Sequence, residues 1–253
     1  MTGRLIGKRA LITGGSEGIG RAIAAAFQAE GAEIVIAALE SPALDAAAAS
    51  MSCPAYSFDL GLTADVERIV ECAVGDMGGL DVLVNNAAIT SPSKPVETTS
   101  LDELGRLLDV NLRGSFWMMR CAFSHLKVSR GCVLNVSSMA GVTGQAAHAA
   151  YAMTKGGLNA LTKSAAADWG SHGIRVNALC PVSAWTPALR RWSEEQPNAS
   201  EIEAYLDRLP VLGYCPEAAE IAPAAVFLCS EDARFVSGHL LHVSGGSEVG
   251  YRL

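Results

Sequence analysis

What the chain lacks narrows it before any motif is read. None of its 253 residues belongs to an apolar run long enough to span a bilayer. The first ten residues have no signal-peptide core, so a soluble cytoplasmic protein with no membrane partner is expected. No basic stripe accompanies the formal net charge of -7, which argues against nucleic acid as a partner. The seven cysteines (Cys53, Cys72, Cys121, Cys132, Cys180, Cys215 and Cys229) include no C-x-x-C pair. Reduced and mostly buried thiols are therefore expected, with neither a disulfide frame nor a metal site. Aromatic residues make up only 6% of the chain, while half of it is apolar and Ala and Gly are abundant. That composition suits helices packed closely on a sheet, and the length suits one large α/β domain.

What is present begins with a strand, a glycine turn and a helix. Residues 9–12 read as a buried strand running into Thr13-Gly14-Gly15-Ser16-Glu17-Gly18-Ile19-Gly20, and residues 21–29 as an Ala-rich helix that Gly31 ends. Gly14, Gly18 and Gly20 would let the backbone turn tightly and approach a pyrophosphate at the positive end of the helix. The next strand, residues 33–38, ends at Ala38, Leu39 and Glu40. An acidic side chain there would bind an adenosine ribose, and a basic one would accommodate a 2'-phosphate. No Lys or Arg lies near, and Glu17 would repel a phosphate, so NAD is expected with NADP as the alternative; a solvated loop charge is the other reading of Glu40.

Strands at residues 55–58, 80–84 and 131–136 then alternate with helices at 42–50, 63–75 and 101–126. This alternation implies right-handed crossovers and a parallel, doubly wound sheet, with ligands at the carboxyl ends of the strands. Asp59 and Leu60, Asn85-Asn86-Ala87-Ala88, and Ser137 and Ser138 all fall at that edge. Asn111 stands inside an apolar helix, where a buried amide needs partners and a cap on a neighbouring backbone group is the plain structural reading.

Tyr151 and Lys155 are four residues apart on what reads as a long helix, so their side chains share a face. A cation beside a phenol favours the phenolate, which offers a general base near neutral pH. Ser138 precedes Tyr151 by thirteen residues across a glycine-containing loop and could hydrogen-bond a substrate oxygen beside the phenol.

Taken together, these pieces resemble the classical short-chain dehydrogenases/reductases. The matching residues are Thr13 with Gly18-Ile19-Gly20, Asp59, Asn85-Asn86-Ala87, Asn111, Ser138, Tyr151-x-x-x-Lys155, Arg175-Val176-Asn177 to Pro181, and Phe227-Leu228 to Ser244-Gly245-Gly246. They cover nearly the whole chain in order. The resemblance implies a single-domain Rossmann-type fold over residues 1–253, with a mostly parallel seven-stranded sheet and helices on both faces. For mechanism it implies that Tyr151 moves the alcohol proton and that Lys155 lowers the phenol pKa and holds the nicotinamide ribose. Ser138 would hold the substrate oxygen, and Asn111 would hold a water beside Lys155. It further implies cofactor contacts from Gly14, Ser16, Glu17, Gly18, Ile19, Gly20, Leu39, Asp59, Leu60, Asn86, Ala87, Pro181, Ala184 and Thr186. A homotetramer is implied as well, with Ala152, Gly156, Gly157 and Ala160 allowing close helix approach. The gap of three residues between Tyr151 and Lys155 differs from the wider gap of enoyl reductases and argues for carbonyl and alcohol chemistry. Val182, Ala88 and Ser244 depart from the family's more common Gly, Gly and Asp.

Residues 185–212 interrupt the strand-helix rhythm and read as a helical flap over the site, with a surface insertion as the alternative. Gln145, His148, Trp185 and Trp192 are candidate substrate contacts. His148 has a competing fate as a solvated loop histidine, and Arg190 or Arg191 as a carboxylate ligand competes with a solvated helix face. The Trp185-Thr186-Pro187 turn and the ending 245–251 resemble a subgroup containing 17β-hydroxysteroid dehydrogenase type 14 and the L-fucose dehydrogenases. A secondary alcohol is the expected substrate, and because Gln145 and His148 could hydrogen-bond a polyol, a sugar or sugar-acid derivative of the L-fucose kind is expected over a steroid. The alternatives are a hydroxysteroid, a ketoacyl thioester reduced with NADPH, or a catalytically silent dinucleotide sensor.

Overall fold

Strands buried on both faces need apolar side chains at consecutive positions, and the chain supplies five such runs, with two half-buried strands at the edges of the sheet. In the computed structural model, which describes residues 3–90 and 93–249, the order is β1 (Arg9–Thr13), α1 (Gly18–Ala29), β2 (Glu33–Ala38), α2 (Pro42–Met51), β3 (Ala55–Ser57), α3 (Thr63–Met77) and β4 (Val82–Asn85). It continues with α4 (Leu101–Leu108), α5 (Ser115–Ser129), β5 (Cys132–Val136), α6 (Ala140–Thr143), α7 (Ala149–Trp169) and β6 (Arg175–Pro181). The last elements are α8 (Pro187–Glu194), α9 (Ala199–Arg208), α10 (Ala218–Cys229) and β7 (Leu240–Val243). Met1 and Thr2 of the leading segment, and Gly250 and Tyr251 of the C-terminal stretch, lie outside the described residues.

The strands pair in the order β3-β2-β1-β4-β5-β6-β7, every pair parallel. The order reverses between β1 and β4, so the crevice of this sheet opens beside Thr13 and Asn85, which end those two strands. Alternation along β1 divides the core. Ala10 and Ile12 face a cluster shared with α1, α2 and α10, whereas Leu11 faces one shared with α3, α5 and α7. This is the doubly wound architecture expected from the motif order.

Two local readings are corrected. The helix expected over 101–126 is interrupted by a wider π turn at Asp109–Gly114, with Asn111 inside it. The loop between Ser138 and Tyr151 contains the short helix α6.

The glycine turn is packed too tightly for side chains. Gly14 has φ +66°, and a Cβ on Gly20 would lie 2.2 Å from the Gly14 carbonyl and 2.3 Å from Asn86 Nδ2. By contrast, Gly75 is an exposed position inside α3 with open space around it. Gly20→Ala should therefore lower unfolding stability and abolish dinucleotide binding. Gly75→Ala should raise stability by about 1 kcal/mol, and denaturant unfolding with dinucleotide titration of both variants checks the contrast.

Candidate active site

The first wall of the site is the β1 turn. Thr13 Oγ1 donates to the Val84 carbonyl at 3.2 Å and accepts from the amides of Asn86 and Ala87 at 3.0 and 3.1 Å. Asn86 Nδ2 returns bonds to the carbonyls of Thr13 and Gly14 at 2.9 and 3.2 Å. The Asn86 side chain thus staples the glycine turn to the end of β4. No side chain caps the N-terminus of α1. Its first-turn amides remain available to an anion at the point where Gly14 and Gly20 leave no room for a Cβ, which fits a dinucleotide pyrophosphate. Leu39 and Glu40 are exposed beyond β2 and Asp59 beyond β3. The Asp59 carboxylate accepts from Gly61 N at 2.8 Å, and the Leu60 side chain is buried in the core.

The second wall is the end of β5 with α7. Ser137 Oγ donates to the Lys155 carbonyl at 3.1 Å, and Asn159 Nδ2 donates to the Gly141 carbonyl at 3.0 Å, which fixes α7 against β5 and α6. Lys155 is buried and Nζ donates to the Val136 carbonyl at 2.8 Å. Nζ lies 5.7 Å from the centre of the Tyr151 ring. Burial pulls the Lys155 ammonium down to about 8. Burial pushes the Tyr151 phenol up, and its hydrogen bond with Ser138 acts in the opposite direction. The expected group therefore assembles: Ser138, Tyr151 and Lys155 meet at one edge of the sheet. The electrostatics differ from the sequence expectation, because in the chain alone burial outweighs the Ser138 hydrogen bond and the phenol is less acidic, not more.

The Asn111 side chain takes the plain structural reading of a buried amide. Its Oδ1 accepts from Ile89 N at 2.8 Å, and Nδ2 donates to the Ile89 carbonyl at 2.9 Å and to Thr154 Oγ1 at 3.2 Å. Both amide hydrogens are used, so the side chain braces the β4 loop against α7. Thr154, not singled out in the sequence, completes this brace by donating to the Tyr151 carbonyl at 2.8 Å.

The third wall follows β6. Pro181 O accepts from Met139 N at 2.9 Å, Ala184 is buried, and Thr186 Oγ1 caps α8 by accepting from Leu189 N at 3.2 Å. A Cβ on Gly18 would meet the Thr186 methyl at 3.1 Å, so this loop approaches the glycine turn. Arg191 Nη2 reaches Glu17 at 3.4 Å. This cation comes to the glycine turn from 174 residues away in the sequence. Val182 is not among the residues with positive φ, and its amide donates to the Val243 carbonyl at 3.3 Å, so the change from Gly costs no backbone strain. Ser244 in place of Asp donates to Glu248, which also holds His242 Nδ1 at 3.1 Å; the carboxylate has moved four residues along.

Of the substrate candidates, Gln145 is exposed on the rim. His148 Nδ1 lies 3.1 Å from the Ala146 carbonyl and Nε2 lies 3.3 Å from Ser93 Oγ. These two contacts tie His148 to the loop. Arg190 lies over the Trp185 ring at 4.9 Å and pairs with Glu217, while Trp192 is exposed. The flap is helical as expected, in α8 and α9.

A doubly wound sheet with an anion-receptive glycine turn and a serine, phenol and ammonium at its carboxyl edge defines a nicotinamide-dependent oxidoreductase acting on CH–OH groups. A family model described as Enoyl-(Acyl carrier protein) reductase matches residues 14–248. The chain belongs to the short-chain dehydrogenase/reductase family. It is 38% identical over 254 residues to an L-fucose dehydrogenase from Mus musculus, covering 98% of this chain and 91% of that one. It is also 37% identical over 246 residues to a 2,5-dichloro-2,5-cyclohexadiene-1,4-diol dehydrogenase from Sphingobium indicum, covering 96% and 97% of the two chains. The crystal structure of a 3-ketoacyl-(acyl-carrier-protein) reductase from Brucella melitensis complexed with NADH superimposes with a TM-score of 0.90 at 32% identity, covering 97% of this chain and all of that one.

The buried lysine makes a pH prediction. Its pKa is about 8 when folded against an ordinary 10.5, so between pH 8 and 10 the unfolded chain binds more protons at this residue. The contribution of Lys155 to stability should therefore rise with pH across that window. In ligand-free protein, the stability of wild type relative to Lys155→Met should increase from pH 7.5 to 9.5 by on the order of 1 kcal/mol or more; denaturant melts of both across that range measure it.

Proposed function

We propose that the protein oxidises a secondary hydroxyl of a sugar or sugar-acid substrate, of the L-fucose kind, with NAD. The observation that carries the reaction class is the meeting of Ser138, Tyr151 and Lys155 at the carboxyl edge. The likeness to L-fucose dehydrogenases and the exposed Gln145 on the rim favour a polyol over a steroid. Glu40 and the lack of a basic residue from 38 to 41 favour NAD.

When bound, the nicotinamide supplies the acceptor for hydride. Ser138 Oγ and the Tyr151 phenol hold the substrate oxygen between them, and Tyr151 takes the hydroxyl proton. Gly14, Ser16, Gly18, Ile19 and Gly20 form the cradle for the pyrophosphate. Lys155 would hold the ribose beside the phenol, and Thr186 and Ala184 would hold the carboxamide. Because the phenol must be ionised to act as base and burial raises its pKa, oxidation should accelerate towards alkaline pH. The flap α8 to α9 closes on the substrate. The chain works in the cytoplasm as a homotetramer, joined through α4, α5 and α7. Of the small residues on α7, Gly157 has a separate reason inside the chain, since a Cβ there would lie 2.8 Å from the Leu112 side chain.

A screen of aldoses, sugar acids, polyols, a steroid and a ketoacyl thioester, each with NAD(H) and NADP(H), tests the substrate and the cofactor. A sugar oxidised with higher kcat/KM for NAD than for NADP is expected; turnover of the thioester alone with NADPH would replace this reading with a biosynthetic reductase. Tyr151→Phe should lower kcat by about 10²- to 10⁴-fold, and a variant as fast as wild type would remove the assigned base. Light scattering should give four times the chain mass.

A further inference from the structure

The edge of the sheet opposite the active site holds a second cavity, of about 150 Å³, lined by Lys8, Arg130, Arg175, Arg234, Cys132 and Cys229 among others. Cys132 is the first residue of β5 and Cys229 the last of α10, so 97 positions separate them in sequence. The fold nevertheless brings the two residues into contact, and Cys132 Sγ lies 3.9 Å from the Cys229 carbonyl oxygen. Both are all but excluded from bulk solvent, and the cavity is the route by which a small molecule reaches them.

The charge around this cavity contrasts with the acidic chain. Four cations line it against two carboxylates, Asp81 and Glu231. Asp81 is already held by Arg9 at 2.6 Å and Glu231 by Lys8 at 3.1 Å. Arg175 donates to the carbonyls of Leu228 and Ser230, the two neighbours of Cys229 in sequence, at 2.7 and 3.2 Å. A thiolate forming here meets an uncompensated positive field.

We propose that Cys132 and Cys229 are a redox-active pair, oxidised by a small hydroperoxide that enters this cavity, with Cys132 as the attacking sulfur and Cys229 as the resolving one. The Cys229 contact holds the Cys132 thiol below its usual range, aided by Arg175 and Lys8 against burial, while burial pushes the Cys229 thiol well above it. In the first step the Cys132 thiolate attacks one peroxide oxygen. The S–O bond forms as the O–O bond breaks, and the departing hydroxide takes a proton to become water. In the second step the Cys229 sulfur attacks the Cys132 sulfenic acid. The S–S bond forms, the S–O bond breaks, and the hydroxyl leaves as water with the Cys229 proton. Two thiols lose two electrons and two protons, and one peroxide becomes two waters. None of this depends on which alcohol the enzyme oxidises.

The test is peptide mapping of the native protein after hydrogen peroxide treatment, with free thiols alkylated during unfolding. The expected product is a peptide pair joining Cys132 to Cys229, restored to free thiols by a reductant. Cys229→Ser should stop at a Cys132 sulfenic acid that dimedone traps, whereas Cys132→Ser should leave Cys229 unmodified. Arg234→Gln, on the exposed rim, should slow cross-linking several-fold. Oxidation of the half-buried Cys53, Cys72 and Cys121 with Cys132 and Cys229 still fully alkylatable would overturn the proposal, as would a dimedone adduct on Cys229. The wild-type map decides the matter even where a serine variant fails to fold.

Discussion

A buried ammonium is the constraint on which the active site depends. Lys155 gives up water for a hydrogen bond to the Val136 carbonyl, and its lowered pKa records the cost. Burial is tolerated because α7 is fastened along its length. Ser137 holds the Lys155 carbonyl, Asn159 holds Gly141, and Asn111 with Thr154 ties the helix to the loop after β4. These bonds keep the phenol and ammonium at fixed separation before any ligand arrives, as electrostatic preorganisation requires. Stability is spent at the place where chemistry is done.

The same economy governs the cofactor side. Asn86 and Thr13 use their polar atoms on the backbone of the glycine turn, so the turn is shaped by the protein rather than by the ligand. The flap then reaches back across it, with Thr186 against Gly18 and Arg191 against Glu17. The Arg191 pair is exposed and contributes little to stability. Its position matters more, because it joins the helical segment after β6 to the glycine turn.

Much of this was legible in the chain as written. Consecutive apolar residues at 82–84 and 132–134 announced strands buried on both faces, and Gly14, Gly18 and Gly20 announced a turn without room for side chains. The four-residue step from Tyr151 to Lys155 placed both on one helical face. What could not be read was the balance of forces at that pair. Sequence spacing gives proximity, which favours a phenolate, but the depth of burial that opposes it comes from β5, α6 and the loops around them. The partners of Asn111 were illegible for a related reason: Ile89 and Thr154 are 22 and 43 positions away.

By itself the sequence determined the order of elements, the parallel sheet and the identity of the groups that meet at its carboxyl edge, because these follow from local periodicity and from the handedness of crossovers. Tertiary structure alone decided the protonation preferences of Tyr151 and Lys155, the reach of Arg191 to Glu17, and the meeting of Cys132 with Cys229. Each of these depends on desolvation or on contact between distant segments, and neither quantity exists until the chain has packed.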